Sequence, residues 1–123
     1  MEPARSWTLA VRGDSMRALL KAGDLIRVRR APLAELRAGD LAILLDWRVG
    51  PPEYVVHRLL GRIRRGGVLC AVTKGDANFL TDPLSPDASV VGVVDAVRAG
   101  GVWRSLGSDG RRGGLALAVL GTP

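Results

Sequence analysis

Short apolar runs, several with every second residue polar, recur along the chain and predict strands. Trp7-Thr8-Leu9-Ala10-Val11 is the first. In Leu25-Ile26-Arg27-Val28-Arg29, Ile26 and Val28 fall on one side and Arg27 and Arg29 on the other, the period of two that a half-buried strand requires. Leu41-Ala42-Ile43-Leu44-Leu45 is apolar throughout, which suits a strand covered on both faces. The run from Tyr54 to Arg65, the pair Gly66-Gly67 and the run Val68 to Thr73 read as a β-hairpin. Ala88 to Val97, with Gly92 inside it, and Val102-Trp103-Arg104 complete the set.

Turn-forming residues punctuate these runs. Gly13 permits a sharp turn after the first strand, Met16 to Ala22 reads as a short helical segment, and Gly23-Asp24 and Gly39-Asp40 open the next two strands as turns of one kind. Ala31-Pro32 and Gly50-Pro51-Pro52 break the pattern elsewhere. Residues 107–114 have the composition of a flexible linker, and Leu115 to Leu120 is an apolar tail too short to cross a bilayer. The expectation is a mainly β protein of curved, partly barrel-like antiparallel sheets with short helical turns. Residues 1–123 form one domain, 107–123 being the linker and tail.

Composition narrows the function classes. Apolar residues are 47% of the chain, which excludes a disordered protein. The net charge is +6, but arginine accounts for all but two of the 18 basic residues, and many alternate with apolar ones, as on the solvent face of a strand. An acidic partner surface, nucleic acid or anionic lipid, is the second reading. The three tryptophans, one tyrosine and one phenylalanine offer little stacking platform for single strands, so nucleic-acid binding is a runner-up.

The lone Cys70 has no partner for a disulfide or metal site and reads as a small core residue. No metal-ligand cluster or phosphate-cradling loop is present in the sequence, and neither metal nor cofactor is expected. No uncharged apolar run approaches the roughly 18 residues of a membrane span, and the start lacks a signal-peptide pattern. The chain as given is expected to be soluble and cytoplasmic, with peripheral membrane association and oligomeric state left open.

The candidate chemistry is a serine, a histidine and later carboxylates. Gly13-Asp14-Ser15-Met16 places a serine on a tight turn; the single histidine, His57, follows 42 positions later; Asp76 and Asp82 follow that. Serine attacks well only when a base takes its proton, and histidine needs a carboxylate to fix its tautomer and stabilise the imidazolium. Val55, His57 and Leu59 alternate onto one side of the predicted hairpin. A histidine there is, taken alone, more often a packed core residue than a base. Lys74 is the rival base, and reads more simply as a strand-end charge or ion-pair partner. Asp76 fits a turn in Gly75-Asp76-Ala77-Asn78 as well as it fits catalytic support. Asp82, before Pro83, reads as a turn residue or as a catalytic carboxylate.

In order, the chain carries Gly13-Asp14-Ser15-Met16, Gly23-Asp24-Leu25, Arg37-Ala38-Gly39-Asp40-Leu41, Val56-His57-Arg58 and Thr73-Lys74-Gly75-Asp76-Ala77-Asn78. This ordered set resembles the signal peptidase I and SOS-repressor-type serine peptidases over roughly residues 8–95. It resembles the branch with histidine as base, as in archaeal, endoplasmic-reticulum and spore-former signal peptidases. Ala18 stands where the family usually has proline, and Gly13 where many signal peptidases have a serine hydroxyl that helps hold the oxyanion.

The resemblance implies Ser15 as nucleophile, His57 as general base, and Asp82 and Asp76 as the acidic partners, with Gly13, Asp14 and Met16 as turn and oxyanion support. It implies a serine endopeptidase that cuts an extended segment of a peptide or precursor protein after small residues. The alternative is a catalytically silent peptide- or nucleic-acid-binding module on the same fold.

Overall fold

A computed structural model of the chain describes residues 6–12, 20–46, 50–51, 53–78 and 80–106. Its strands are β1 (Ser6–Ala10), β2 (Leu25–Arg30), β3 (Leu41–Asp46), β4 (Glu53–Arg65), β5 (Val68–Lys74), β6 (Ser85–Pro86), β7 (Val90–Ala99) and β8 (Val102–Ser105). Strands make up 60% of the described residues, and the only helical pieces among them are 3-10 turns at Leu33–Glu35 and Asp87–Ser89. No helix of the described residues is long and apolar enough to cross a membrane. The mainly β, antiparallel expectation holds, but as one continuous sheet that does not close. The expected helical segment at Met16 to Ala22 lies largely outside the described residues, and the linker and tail at 107–123 lie wholly outside them.

The sheet order is β1-β2-β7-β3-β4-β5-β6, with β8 attached to β7. β7 is shared: β2 pairs along Gly92 to Arg98 on one edge, while β3 takes Val90 to Val93 and β8 takes Ala96 to Ala99 on the other. Gly92 is paired on both edges, opposite Arg30 of β2 and Ile43 of β3. A Cβ there would overlap the Arg29 carbonyl oxygen, so glycine is required by space and not by φ.

The sheet is strongly curled. β1 and β4 are four strand spacings apart, roughly 19 Å if the sheet were flat. Yet the rings of Trp7 and Tyr54 lie 6.4 Å apart, and the Arg30 guanidinium sits 5.3 Å over Trp7. The inner face carries Ile26, Val28, Leu41, Ile43, Val94 and Val97, with Leu20 packed among them. The outer face carries Ala42, Leu44, Leu59, Ala71, Val90 and Val93, covered by Leu33 and Leu36. Strand alternation delivers β3 to both layers, which is why Leu41 to Leu44 are all buried. Register shifts at Arg27/Val28, Ile43/Leu44 and Leu59/Gly61 bend the strands.

The shift in β4 changes the meaning of its sequence. Before it, Val55, His57 and Leu59 face the outer layer; after it, Arg62 and Arg64 do, paired with Ala71 and Leu69. Arg62 donates to the carbonyls of Leu33 and Ala34, at 3.3 and 2.7 Å. Ile63 is left 45% exposed, so uninterrupted alternation assigns the wrong residues to solvent here.

The two Gly-Asp turns share one construction. Gly23 and Gly39 have φ of 94° and 98°, in the left-handed region that glycine enters without penalty. Asp24 Oδ2 accepts the Lys21 N–H, and the Asp24 N–H returns a bond to the Lys21 carbonyl; Asp40 and Arg37 repeat the pair. Each aspartate thus closes its own turn before the chain enters β2 or β3.

Candidate active site

His57 lies in the middle of β4, opposite Ala42 of β3 and on the outer face with Val55 and Leu59. On the neighbouring strand Thr73 pairs with Leu59, which sets Thr73 diagonally beside His57 on the same face. The hairpin thereby presents one imidazole and one hydroxyl side by side, both from regular strand.

The carboxylate arrives from the segment after β5. The Asp82 N–H donates to the Thr73 carbonyl at 2.9 Å, and β6 then pairs with Ala71 and Cys70, so residues 82–86 run back along the free edge of β5. That path carries Asp82 over the outer face. Its Oδ2 accepts His57 Nδ1 at 2.5 Å and the Thr73 hydroxyl at 2.7 Å. With Nδ1–H donating to the carboxylate, Nε2 is the nitrogen positioned to exchange a proton. The His57 and Asp82 side chains are 12% and 15% exposed, sheltered enough for a strong charge-assisted contact yet not sealed from a substrate.

Thr73 is fully buried. A hydroxyl left there without a partner would cost about 1–3 kcal/mol; its bond to Asp82 removes that cost. In the sequence Thr73 opens the run Thr73-Lys74-Gly75-Asp76-Ala77-Asn78 with no role of its own. The signal available was a hydroxyl residue closing the otherwise apolar run Val68 to Val72.

Asp76 comes from the same connection and meets a different partner. Its carboxylate takes two bonds from Arg58, Nη2 to Oδ2 at 2.7 Å and Nε to Oδ1 at 3.2 Å, while Arg58 Nη1 donates to the Gly39 carbonyl at 2.9 Å. Arg58 follows His57 in β4 and therefore points to the inner side, opposite Leu41. The Asn78 N–H bonds the Gly75 carbonyl, so Asp76 also occupies the turn its neighbours predict. Lys74 pairs with Arg58 across the hairpin, on the face away from His57, and its Nζ donates to the Gly75 carbonyl at 3.1 Å. The strand-end reading of Lys74 fits this placement; its bond is to a carbonyl and not to a carboxylate.

His57, Asp82 and Thr73 form the polar wall of a cavity of about 150 Å³. Leu44, Leu45, Val55, Leu84 and Pro86 supply an apolar wall, and Ser85 and Ser89 lie on its border. A proton-accepting imidazole held by a carboxylate beside a mixed apolar and polar cavity can serve a nucleophile or water.

Ser15, together with Gly13, Asp14 and Met16, lies outside the described residues. The described chain leads towards that segment through Val11, which exchanges backbone hydrogen bonds with Asp24 and Gly23 at 2.8 and 3.0 Å. It resumes at Leu20, buried in the inner core. No protein-family model matches this chain, and no curated protein or solved structure matches it.

Proposed function

We propose that this protein is a serine endopeptidase similar to signal peptidase I of the Ser-His type, cutting an extended segment of a peptide or precursor protein after small residues. The observation that carries this reading is the His57 Nδ1–Asp82 Oδ2 hydrogen bond of 2.5 Å. It joins two residues 25 positions apart in a chain that also carries Gly13-Asp14-Ser15-Met16.

In this reading the Ser15 hydroxyl oxygen attacks the scissile carbonyl carbon while His57 Nε2 takes its proton. Asp82 holds the ring and stabilises the imidazolium. Backbone N–H groups, that of Ser15 among them, receive the oxyanion, and Gly13, Asp14 and Met16 shape the turn that presents them. Collapse of the tetrahedral species breaks the C–N bond, and the leaving amine takes the proton from His57. Water then attacks the acyl-serine with His57 as base, releasing the acid and restoring Ser15. Asp76 contributes through Arg58, holding the strand that carries His57. The substrate backbone extends a sheet edge.

The test is cleavage of a peptide library together with labelling by a serine-reactive phosphonate, in wild type and Ser15→Ala. Cleavage and labelling are expected in the first and absent in the second, the rate falling by up to roughly a millionfold. A folded wild type that neither cleaves nor labels overturns the peptidase reading and leaves the binding-module alternative. Activity of Ser15→Ala within about tenfold of wild type removes Ser15 from its role.

A further inference from the structure

We infer that Thr73 is a positioning residue of the His57–Asp82 pair, its hydroxyl choosing the rotamer of the Asp82 carboxylate that keeps Oδ2 on the imidazole. The effect on rate rests on the peptidase reading; the effect on the pair does not.

Three observations converge on it. Thr73 is fully buried on the outer face, in a strand where Val72, Ala71 and Leu69 show that apolar side chains satisfy packing. Valine has nearly the same shape, so packing alone does not call for the hydroxyl. The hydroxyl reaches Asp82 Oδ2, the same oxygen that His57 Nδ1 uses, at 2.7 and 2.5 Å. And the Asp82 main chain is already tied to the Thr73 carbonyl at 2.9 Å, which fixes the backbone of Asp82 but leaves its carboxylate free to turn. The backbone bond brings the acid to the site, and the hydroxyl orients it. Without that second bond Oδ2 can swing from Nδ1, and the imidazole loses both its fixed tautomer and its stabilising charge.

The chain has a single histidine, so every imidazole resonance belongs to His57. Proton and nitrogen NMR of the ring is expected to show a low-field Nδ1–H signal and the Nδ1–H tautomer in wild type and in Thr73→Ser. In Thr73→Val the signal should be lost or moved upfield, towards its state in Asp82→Asn. In cleavage assays Thr73→Val should lower kcat roughly 10- to 100-fold with KM little changed, and Thr73→Ser should restore most of it. If Thr73→Val does not fold, Thr73→Ala against Thr73→Ser gives the same comparison.

A ring spectrum in Thr73→Val identical to wild type overturns the inference, as does a Thr73→Ser variant that loses the signal as completely as valine. Should the wild type cleave nothing, the peptidase reading falls while the ring spectra still decide the role of Thr73. Should it cleave and Thr73→Val keep its kcat, the role of Thr73 falls and the peptidase reading stands.

Discussion

Arg58 and Asp76 meet through two hydrogen bonds immediately behind His57, on the opposite side of β4. Neighbouring residues of a strand face opposite ways, so the connection after β5 supplies one carboxylate to each side of the sheet. Asp82 goes to the imidazole outside and Asp76 to the guanidinium inside. Arg58 is only 4% exposed, and its third contact, to the Gly39 carbonyl, ties the turn before β3 to the turn after β5. The pair is therefore a brace beneath the candidate site.

Removing half of that brace should unfold the protein sooner. Asp76→Asn leaves the Arg58 charge without a full counter-charge in a desolvated setting, and a loss of roughly 3 kcal/mol is expected. Thermal or urea unfolding measures it, and cleavage by the folded fraction should fall only modestly. A variant as stable as wild type would show that the Arg58–Asp76 pair braces nothing.

Asp82→Asn should behave in the opposite way. The amide keeps the size of the carboxylate but disfavours the Nδ1–H tautomer, so turnover should drop by up to about ten-thousandfold with little change in melting. Peptide-cleavage kinetics alongside a thermal melt on both aspartate variants separates the roles. An active Asp82→Asn beside an inactive, folded Asp76→Asn would reverse them.

Two glycines should fail for different reasons. Gly92→Ala drives a methyl into the Arg29 backbone of the neighbouring strand, and a loss of roughly 3 kcal/mol is expected. Gly23→Ala has open space around the new methyl but forces alanine to hold a φ of 94°, which should cost about 1–2 kcal/mol. Chemical denaturation of the two variants ranks them, and equal losses would contradict the distinction between crowding and strain.

The strands were legible because local alternation and apolar runs are local facts. All the expected strands form, within one or two residues at most ends, and the Gly23-Asp24 and Gly39-Asp40 turns proved to be copies of one another. The β7 strand starts two residues later than its apolar run because Pro86 and the 3-10 turn Asp87–Ser89 take the first part. The two-residue β6 left no periodic signal. The register shift at Leu60 was invisible because a bulge depends on the partner strand. So was the sheet order: nothing in Val90 to Ala99 says that it lies between β2 and β3.

At the candidate site the motifs supplied His57, Asp76 and Asp82, but the division of the two acids between imidazole and guanidinium depended on which way residues 57 and 58 face once the hairpin is built. Thr73 went unassigned for the same reason, since its use depends on a loop that returns along β5.

The placement of β7 in mid-sheet also sets an order in time. The β4–β5 hairpin, with His57 and Thr73 on it, closes through a two-residue turn and involves only neighbouring residues, so it can form early. β2 and β3 are joined through a strand whose first residue is Val90, and pairs such as Ile26 with Val97 span most of the described chain. Such distant pairings are slow to find. On the ribosome β1 can pair with β2, and β3 with β4, before β7 is made. The two parts cannot be joined until β7 has emerged, so the joining of the curled sheet is among the last steps of assembly.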